Sequence, residues 1–288
     1  MRILPLLAAF PLALCAAEPP FRLGGPEVAK LDWNVRSLVA KDLDGDGLTD
    51  LAVLNNDRAR IELLFQRKPG EAKEPKPAAT HGRWEPVLED ARYRKVSVVT
   101  GIGMFALAAA DFDGDGLVDL AYTGKPDALT VRYQGKGNDW SRKRVFDIES
   151  PMQWISTVRA ADLDGDGRQD LVVLTQKELV VFTQDGKGGL AGPERYTLAD
   201  EGCYGLQVSD VDGNGRADLL VIAPNKRDGL RVRFRTAQKE GGFGPERPFR
   251  IESPRGLISP LKPGGTGGPP SFVQVQAQTG LVERLKIA

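Results

Sequence analysis

Four short segments concentrate the side chains of this chain that can hold a metal ion. They are DLDGDGLTDL (Asp42–Leu51), DFDGDGLVDL (Asp111–Leu120), DLDGDGRQDL (Asp162–Leu171) and DVDGNGRADL (Asp210–Leu219). Counting the first aspartate as position 1, side-chain oxygens stand at positions 1, 3, 5 and 9. These are Asp42, Asp44, Asp46 and Asp50 in the first copy and Asp111, Asp113, Asp115 and Asp119 in the second. The third copy has Asp162, Asp164, Asp166 and Asp170, and the fourth has Asp210, Asp212, Asn214 and Asp218. Glycine at positions 4 and 6 allows positive-φ turns, so the backbone curls and the alternating oxygens converge on one point. The backbone carbonyl at position 7 (Leu48, Leu117, Arg168, Arg216) adds a further oxygen. An all-oxygen shell of this kind suits Ca²⁺, which takes about 6–8 ligands, better than Mg²⁺, which demands a tight octahedron. Up to four calcium ions are the expected cofactor, with Asn214 making the fourth site the weakest. Like charges crowded so closely repel without a cation, which argues against metal-free acidic turns in four matching copies. An EF-hand needs a bidentate Glu at position 12; here Val53, Tyr122, Val173 and Val221 stand there, all on predicted strands.

Other chemistry is scarce. One histidine, His81, and two cysteines, Cys15 and Cys203, exclude a multi-histidine centre, a zinc ribbon and a disulfide-stapled scaffold. His81 borders QRKPGEAKEPKPAAT (residues 66–80), a Lys/Glu/Pro-rich insertion expected to be a surface loop, and no catalytic role is expected of it.

The acidic loops recur at intervals of 69, 51 and 48 residues, so the unit is about 50 residues and the first interval carries the insertion. A short apolar run precedes each loop: Ser37–Ala40, Phe105–Ala110, Thr157–Ala161 and Leu206–Val208. A second run follows it, a third comes after a polar turn, and a weaker fourth shows at Arg195–Leu198 and Pro248–Ile251. Helical periodicity is missing. Four short strands per repeat predict an all-β fold of propeller type. A fifth unit, Leu257–Leu261, Ser271–Gln276 and Leu281–Ile287, keeps three strands but replaces the acidic loop with KPGGTGGPP. Pro26–Leu31 is expected to supply its missing strand and close a five-bladed ring, pairing edges that otherwise invite aggregation.

These loops and flanks resemble the FG-GAP/VCBS repeat family, whose calcium loops occur in the propeller of integrin α-subunits. The resemblance implies a β-propeller in which calcium pins the turn between the first two strands of a blade. Its members include adhesion proteins, carbohydrate binders and accessory modules of secreted enzymes. The acid-free fifth loop departs from the pattern and puts a calcium there in doubt.

On the face opposite the acidic loops, aromatic residues are expected near the channel mouth: Trp33, Phe105, Trp154 and Tyr204, with Leu257 in the fifth unit. Such rings suit stacking on sugars or peptides, and packing between blades is the alternative. Asp32, Glu149, Glu201 and Glu252 share these loops, and a glycosidase uses two such carboxyls. Yet IESP recurs at Ile148–Pro151 and Ile251–Pro254, which points to a shared turn. Lys+Arg and Asp+Glu number 39 each, so no global excess suggests nucleic acid. The four loops hold 15 of those acids, leaving 24 against the 38 cations that remain once Arg2 is set aside. That basic body attracts anionic partners or merely balances its own acidic loops.

MRILPLLAAFPLALCAA (residues 1–17) reads as a secretory signal peptide, with residues 18–288 as one domain. Its apolar run is too short to span a bilayer, which takes ~20 residues. Leu14 before Cys15 disfavours a lipoprotein signal. The expected protein is secreted or periplasmic, without a membrane span, and it binds a glycan or a cell-surface protein. The alternative is a carbohydrate-active enzyme on the same scaffold. Oligomeric state is not legible.

Overall fold

The computed structural model describes residues 31–71, 92–223, 230–251, 256–261, 271–276 and 282–286. The segments expected to form a signal peptide (1–17) and most of the closing strand (26–30) lie outside these, as do His81 and most of the insertion. The described residues contain no helix. They form five antiparallel meanders. The first comprises β1 (Val35–Lys41), β2 (Asp50–Asn55), β3 (Arg60–Gln66) and β4 (Tyr93–Val99). The second comprises β5 (Gly103–Ala110), β6 (Asp119–Lys125), β7 (Ala128–Arg132) and β8 (Lys143–Asp147). The third comprises β9 (Val158–Ala161), β10 (Asp170–Leu174), β11 (Glu178–Phe182) and β12 (Glu194–Thr197). The fourth comprises β13 (Gly205–Ser209), β14 (Asp218–Ala223), β15 (Leu230–Arg235) and β16 (Arg247–Ile251). The fifth has three strands, β17 (Gly256–Leu261), β18 (Ser271–Gln276) and β19 (Val282–Lys286). Gln66, expected to begin the insertion, ends β3 instead.

Sequence pattern explains the layering. Middle strands such as β10 (DLVVL) and β11 (ELVVF) are apolar without alternation, because both of their faces are covered. Outer strands such as β8 (KRVFD) and β12 (ERYT) are mostly exposed and charged, which blunts their free edges. In β5 the two faces separate cleanly. Leu107 and Ala109 pack with Leu54, Leu63 and Phe65 of the first sheet. Ala106 and Ala108, pointing the other way, pack with Val158, Leu171 and Phe182 of the third. The third sheet repeats the arrangement, with Val172 and Val181 meeting Leu206 and Leu219 of the fourth. Each middle sheet is therefore covered by a different neighbour on each face, and β1, β5, β9 and β13 neighbour one another in succession. A two-sheet sandwich would cover each sheet on one side only. These are stacked blades of propeller type, with the first strands innermost.

Cys203 is fully buried between the third and fourth blades, its thiol donating to the Asp200 carbonyl at 3.3 Å. Burial pushes it up to about 11, so it is an inert packing residue. Phe182 is equally buried, with its ring 4.8 Å from that of Phe146. Phe182→Ala is expected to cost about 3–5 kcal/mol in urea unfolding; a loss below about 1 kcal/mol would contradict this stacking of blades.

Candidate metal centre

The acidic loops join β1 to β2, β5 to β6, β9 to β10 and β13 to β14, and one hydrogen-bond scheme builds all four. Position 1 organises the turn. Oδ1 of Asp42 accepts the N–H groups of Gly45 (2.8 Å) and Asp46 (3.1 Å), while Oδ2 accepts that of Gly47 (2.8 Å). Asp111, Asp162 and Asp210 likewise accept from the glycines at positions 4 and 6. All eight of those glycines have φ between 77° and 86°, a region in which a Cβ is strained. Position 5 accepts the N–H of position 7, at 2.9 Å from Leu48 to Asp46 and 2.8 Å from Leu117, Arg168 and Arg216 to their partners.

Position 9 sits at the root of the loop and is fully buried in every copy. Its Oδ2 accepts from the N–H of position 2, at 2.8 Å for Leu43 to Asp50 and 2.9 Å for Phe112 to Asp119. Its Oδ1 accepts from the chain just beyond the third strand or at its end: Gln66, Gln134, Gln184 and Ala237 donate at 2.7–2.8 Å. Position 2 itself is buried as Leu43, Phe112, Leu163 or Val211. Both roles were missed in the sequence, although an apolar position 2 in every copy and a glutamine after the third run in three copies were visible signals.

The chain brings three carboxylates of each loop within 4.8 Å of one another. Positions 1, 3 and 9 converge in the first, third and fourth loops (Asp42, Asp44, Asp50; Asp162, Asp164, Asp170; Asp210, Asp212, Asp218), and positions 1, 3 and 5 in the second (Asp111, Asp113, Asp115). These donors are all hard oxygens, which fits a hard cation. Cationic side chains reach acids of the same loops: Arg142 pairs with Asp113, Arg168 with Asp166, and Lys68 with Asp46 at 3.6 Å. Beside the first loop, Asp44, Phe65, Lys68, Glu71 and Arg94 line an open cleft of about 240 Å³. Loops also touch across blades, since Nε2 of Gln184 in the third blade donates to the carbonyl of Asp111 in the second at 2.9 Å.

On the opposite face the predicted aromatics divide. Trp154 and Tyr204 come together, ring centroids 6.2 Å apart and tilted 57°, with Trp154 56% exposed. Trp33 is 99% exposed ahead of β1. Phe105 lies within β5, half-buried at a register shift, rather than in a connecting loop. Leu257 lies in β17. Among the acids of this face, Asp32 accepts from Asn55 at 2.6 Å and pairs with Arg58 and Arg60. The Asn55 hydrogen bond and these cations hold it below the usual carboxylate range, which is wrong for a proton donor. Glu149 and Glu201 are exposed, and Glu252 lies outside the described residues. Asn55 also bonds Glu62, a fully buried acid that takes further hydrogen bonds from Ser97 and Arg60.

Without a cation, the loop carboxylates are electrostatically uncomfortable. Asp119 is pushed up to about 7 and Asp170 up to about 6. Burial is the main cause; the backbone donors oppose it, and the other loop acids add to it. Asp50 and Asp218 shift the same way. A folded pKa above the ordinary 3.8 means stability is complete below that value and is lost as pH rises through 6 and 7. Chelated protein is therefore expected to melt at a higher temperature at pH 5 than at pH 7.5. Saturating metal should reverse the order, because protons then compete with the ion. A flat profile in chelator, read by calorimetry, would contradict the electrostatics.

Comparison with known proteins bears on the repeat family and the fold. No curated protein matches the chain. Among solved structures, a lectin from Agrocybe aegerita, described as specifically recognising non-reducing terminal N-acetylglucosamine, superposes with a TM-score of 0.50 at 14% identity, covering 88% of this chain and 67% of the lectin. BBS1N, solved in complex with ARL6DN, gives a TM-score of 0.49 at 12% identity, covering 89% of this chain and 73% of that one. The family model for the FG-GAP-like repeat matches three times, over residues 42–122, 111–173 and 162–221, each match beginning on a position-1 aspartate. By those repeats, which together span most of its length, the chain belongs to the FG-GAP-like repeat family.

Proposed function

We propose that this chain is an exported, calcium-stabilised β-propeller that works as a binding module, with a glycan or a cell-surface protein as its partner. The observation that carries the reading is a division of labour between two faces. One face holds four preorganised carboxylate clusters whose backbone bonds fix the hairpins. The other presents a pair of aromatic rings, an exposed Trp154 and a half-buried Tyr204, that the core does not absorb. Calcium at the clusters would be held by the carboxylates of positions 1, 3 and 9, joined by position 5 and the position-7 carbonyl. It would supply the positive charge that the loops lack. The aromatic pair suits a sugar ring, which offers an apolar C–H face. The lectin of the same fold recognises a terminal sugar, which supports the reading by analogy only. Export rests on the signal-like residues 1–17.

Two measurements test it. An ion that binds only the folded state at 100 times its Kd adds about 2.7 kcal/mol. Chelation is thus expected to lower the melting temperature by roughly 5–10 °C per occupied site. Asp164→Ala should remove one calcium from the titrated stoichiometry and shrink that gain, and a melting curve indifferent to chelator would overturn calcium stabilisation. On a glycan array with calcium present, binding is expected, and Trp154→Ala should weaken it at least tenfold. Silence there and against cell-surface proteins would overturn the binding reading.

A further inference from the structure

Arg159 is the second residue of β9, on the innermost strand of the third blade. Its neighbours Val158 and Ala160 pack against the second blade. Alternation along the strand turns Arg159 the other way, toward the fourth blade, the side on which its register partner Val172 packs. This is the seam at whose mouth Trp154 meets Tyr204. Two bonds hold that mouth in place: the Thr157 hydroxyl donates to the Trp154 carbonyl at 2.8 Å, and the Leu206 N–H donates to the Ser156 carbonyl at 3.0 Å. Arg159 lies one residue inside the start of β9, so it sits about one strand rise, ~3.3 Å, below the level at which the strand begins.

The guanidinium is short of partners. One nitrogen donates to the carbonyl of the preceding residue, Val158, at 3.0 Å, and no carboxylate among the described residues pairs with it. Partial burial disfavours its charged form. Other partly buried arginines near this seam are paired, as Arg233 is with Asp200 and Glu246. The repeat itself does not call for a cation here: the same register holds Val39, Ala108 and Gln207 in the first, second and fourth blades. An unpaired charge withdrawn from water is costly unless an opposite charge joins it.

We infer that Arg159 and the Trp154–Tyr204 pair form one recognition site for an acidic saccharide, the rings taking a sugar face and the guanidinium taking its carboxylate or sulfate. A planar guanidinium suits either oxyanion because it can bond two oxygens at once. The surplus of cations outside the acidic loops, 36 against 24 when Arg2 is set aside, favours an anionic partner. The inference rests on the binding reading above and gives it a ligand class.

The test uses the full chain with calcium and three kinds of short oligosaccharide: uronates, sulfated sugars, and the methyl-esterified or desulfated counterparts of each. Acidic ligands are expected to bind at least tenfold tighter than their neutral counterparts. Arg159→Gln should erase that preference while leaving neutral binding in place, Arg159→Lys should restore part of it, and Trp154→Ala should weaken both classes. The uronate and sulfate arms identify which oxyanion the site takes. Each variant is compared by its melting temperature in calcium, and equal melting with lost acid preference supports the site. Neutral and acidic ligands binding alike, or a preference that survives Arg159→Gln, overturns this inference and leaves the binding reading standing. Silence toward every sugar overturns the acidic-saccharide site, and the binding reading falls with it only if cell-surface proteins are silent too.

Discussion

The structure turns on a buried aspartate. Position 9 of each acidic loop (Asp50, Asp119, Asp170, Asp218) spends one oxygen on the N–H of position 2 and the other on an N–H at or just beyond the end of the third strand. One side chain thus ties the first hairpin of a blade to the strand that follows it. Because position 2 is a buried apolar residue, the same bond sets how the loop meets the core. A fully buried carboxylate is tolerable only when its charge is answered. Backbone donors answer part of it, and in the first, third and fourth loops two more acids converge beside it, a set that a divalent cation could hold together. The same aspartate therefore serves both the fold and the acid cluster beside it.

Much of this was legible in the sequence, and the reasons differ by element. The loops announce themselves because their spacing is dictated by geometry: glycines must stand where φ is positive, and oxygens must alternate to converge. First, second and third strands show as apolar runs, because neighbouring blades cover both of their faces. The fourth strands of the first two blades, Tyr93–Val99 and Lys143–Asp147, did not stand out. They lie at the rim, where Lys143–Asp147 carries charge in place of valine and Tyr93–Val99 has Arg94 and Lys95 near its start. Phe105 stood both in the apolar run before the second loop and among the loop aromatics; only the strand placement holds, at a register shift that lets an aromatic sit inside a strand while its neighbours keep their pairing. The third-strand glutamines were visible as a repeat, but nothing local tells that a backbone N–H several residues past a loop closes onto its aspartate.

The two faces of the blades obey different rules. On the loop face, side chains are committed to local bonds and the repeats are nearly identical, as a structural role requires. On the opposite face the repeats diverge: Asp32 and Glu62 join a hydrogen-bonded ionic network in the first blade, whereas the third and fourth present rings and an arginine without a carboxylate partner among the described residues. Divergence among otherwise equivalent positions is where a repeat protein can acquire specificity without disturbing its scaffold.

The bond from Gln184 to the carbonyl of Asp111 carries a consequence of its own. It fastens the acidic loop of one blade to the hairpin of the next, so the free energy of any ion filling that loop and the free energy of seating the neighbouring blade would share a common part. Linkage makes such sharing reciprocal. An ion held in the second blade would then act as a clasp on the seam beside it, and the array would stiffen as a joined belt rather than as separate beads.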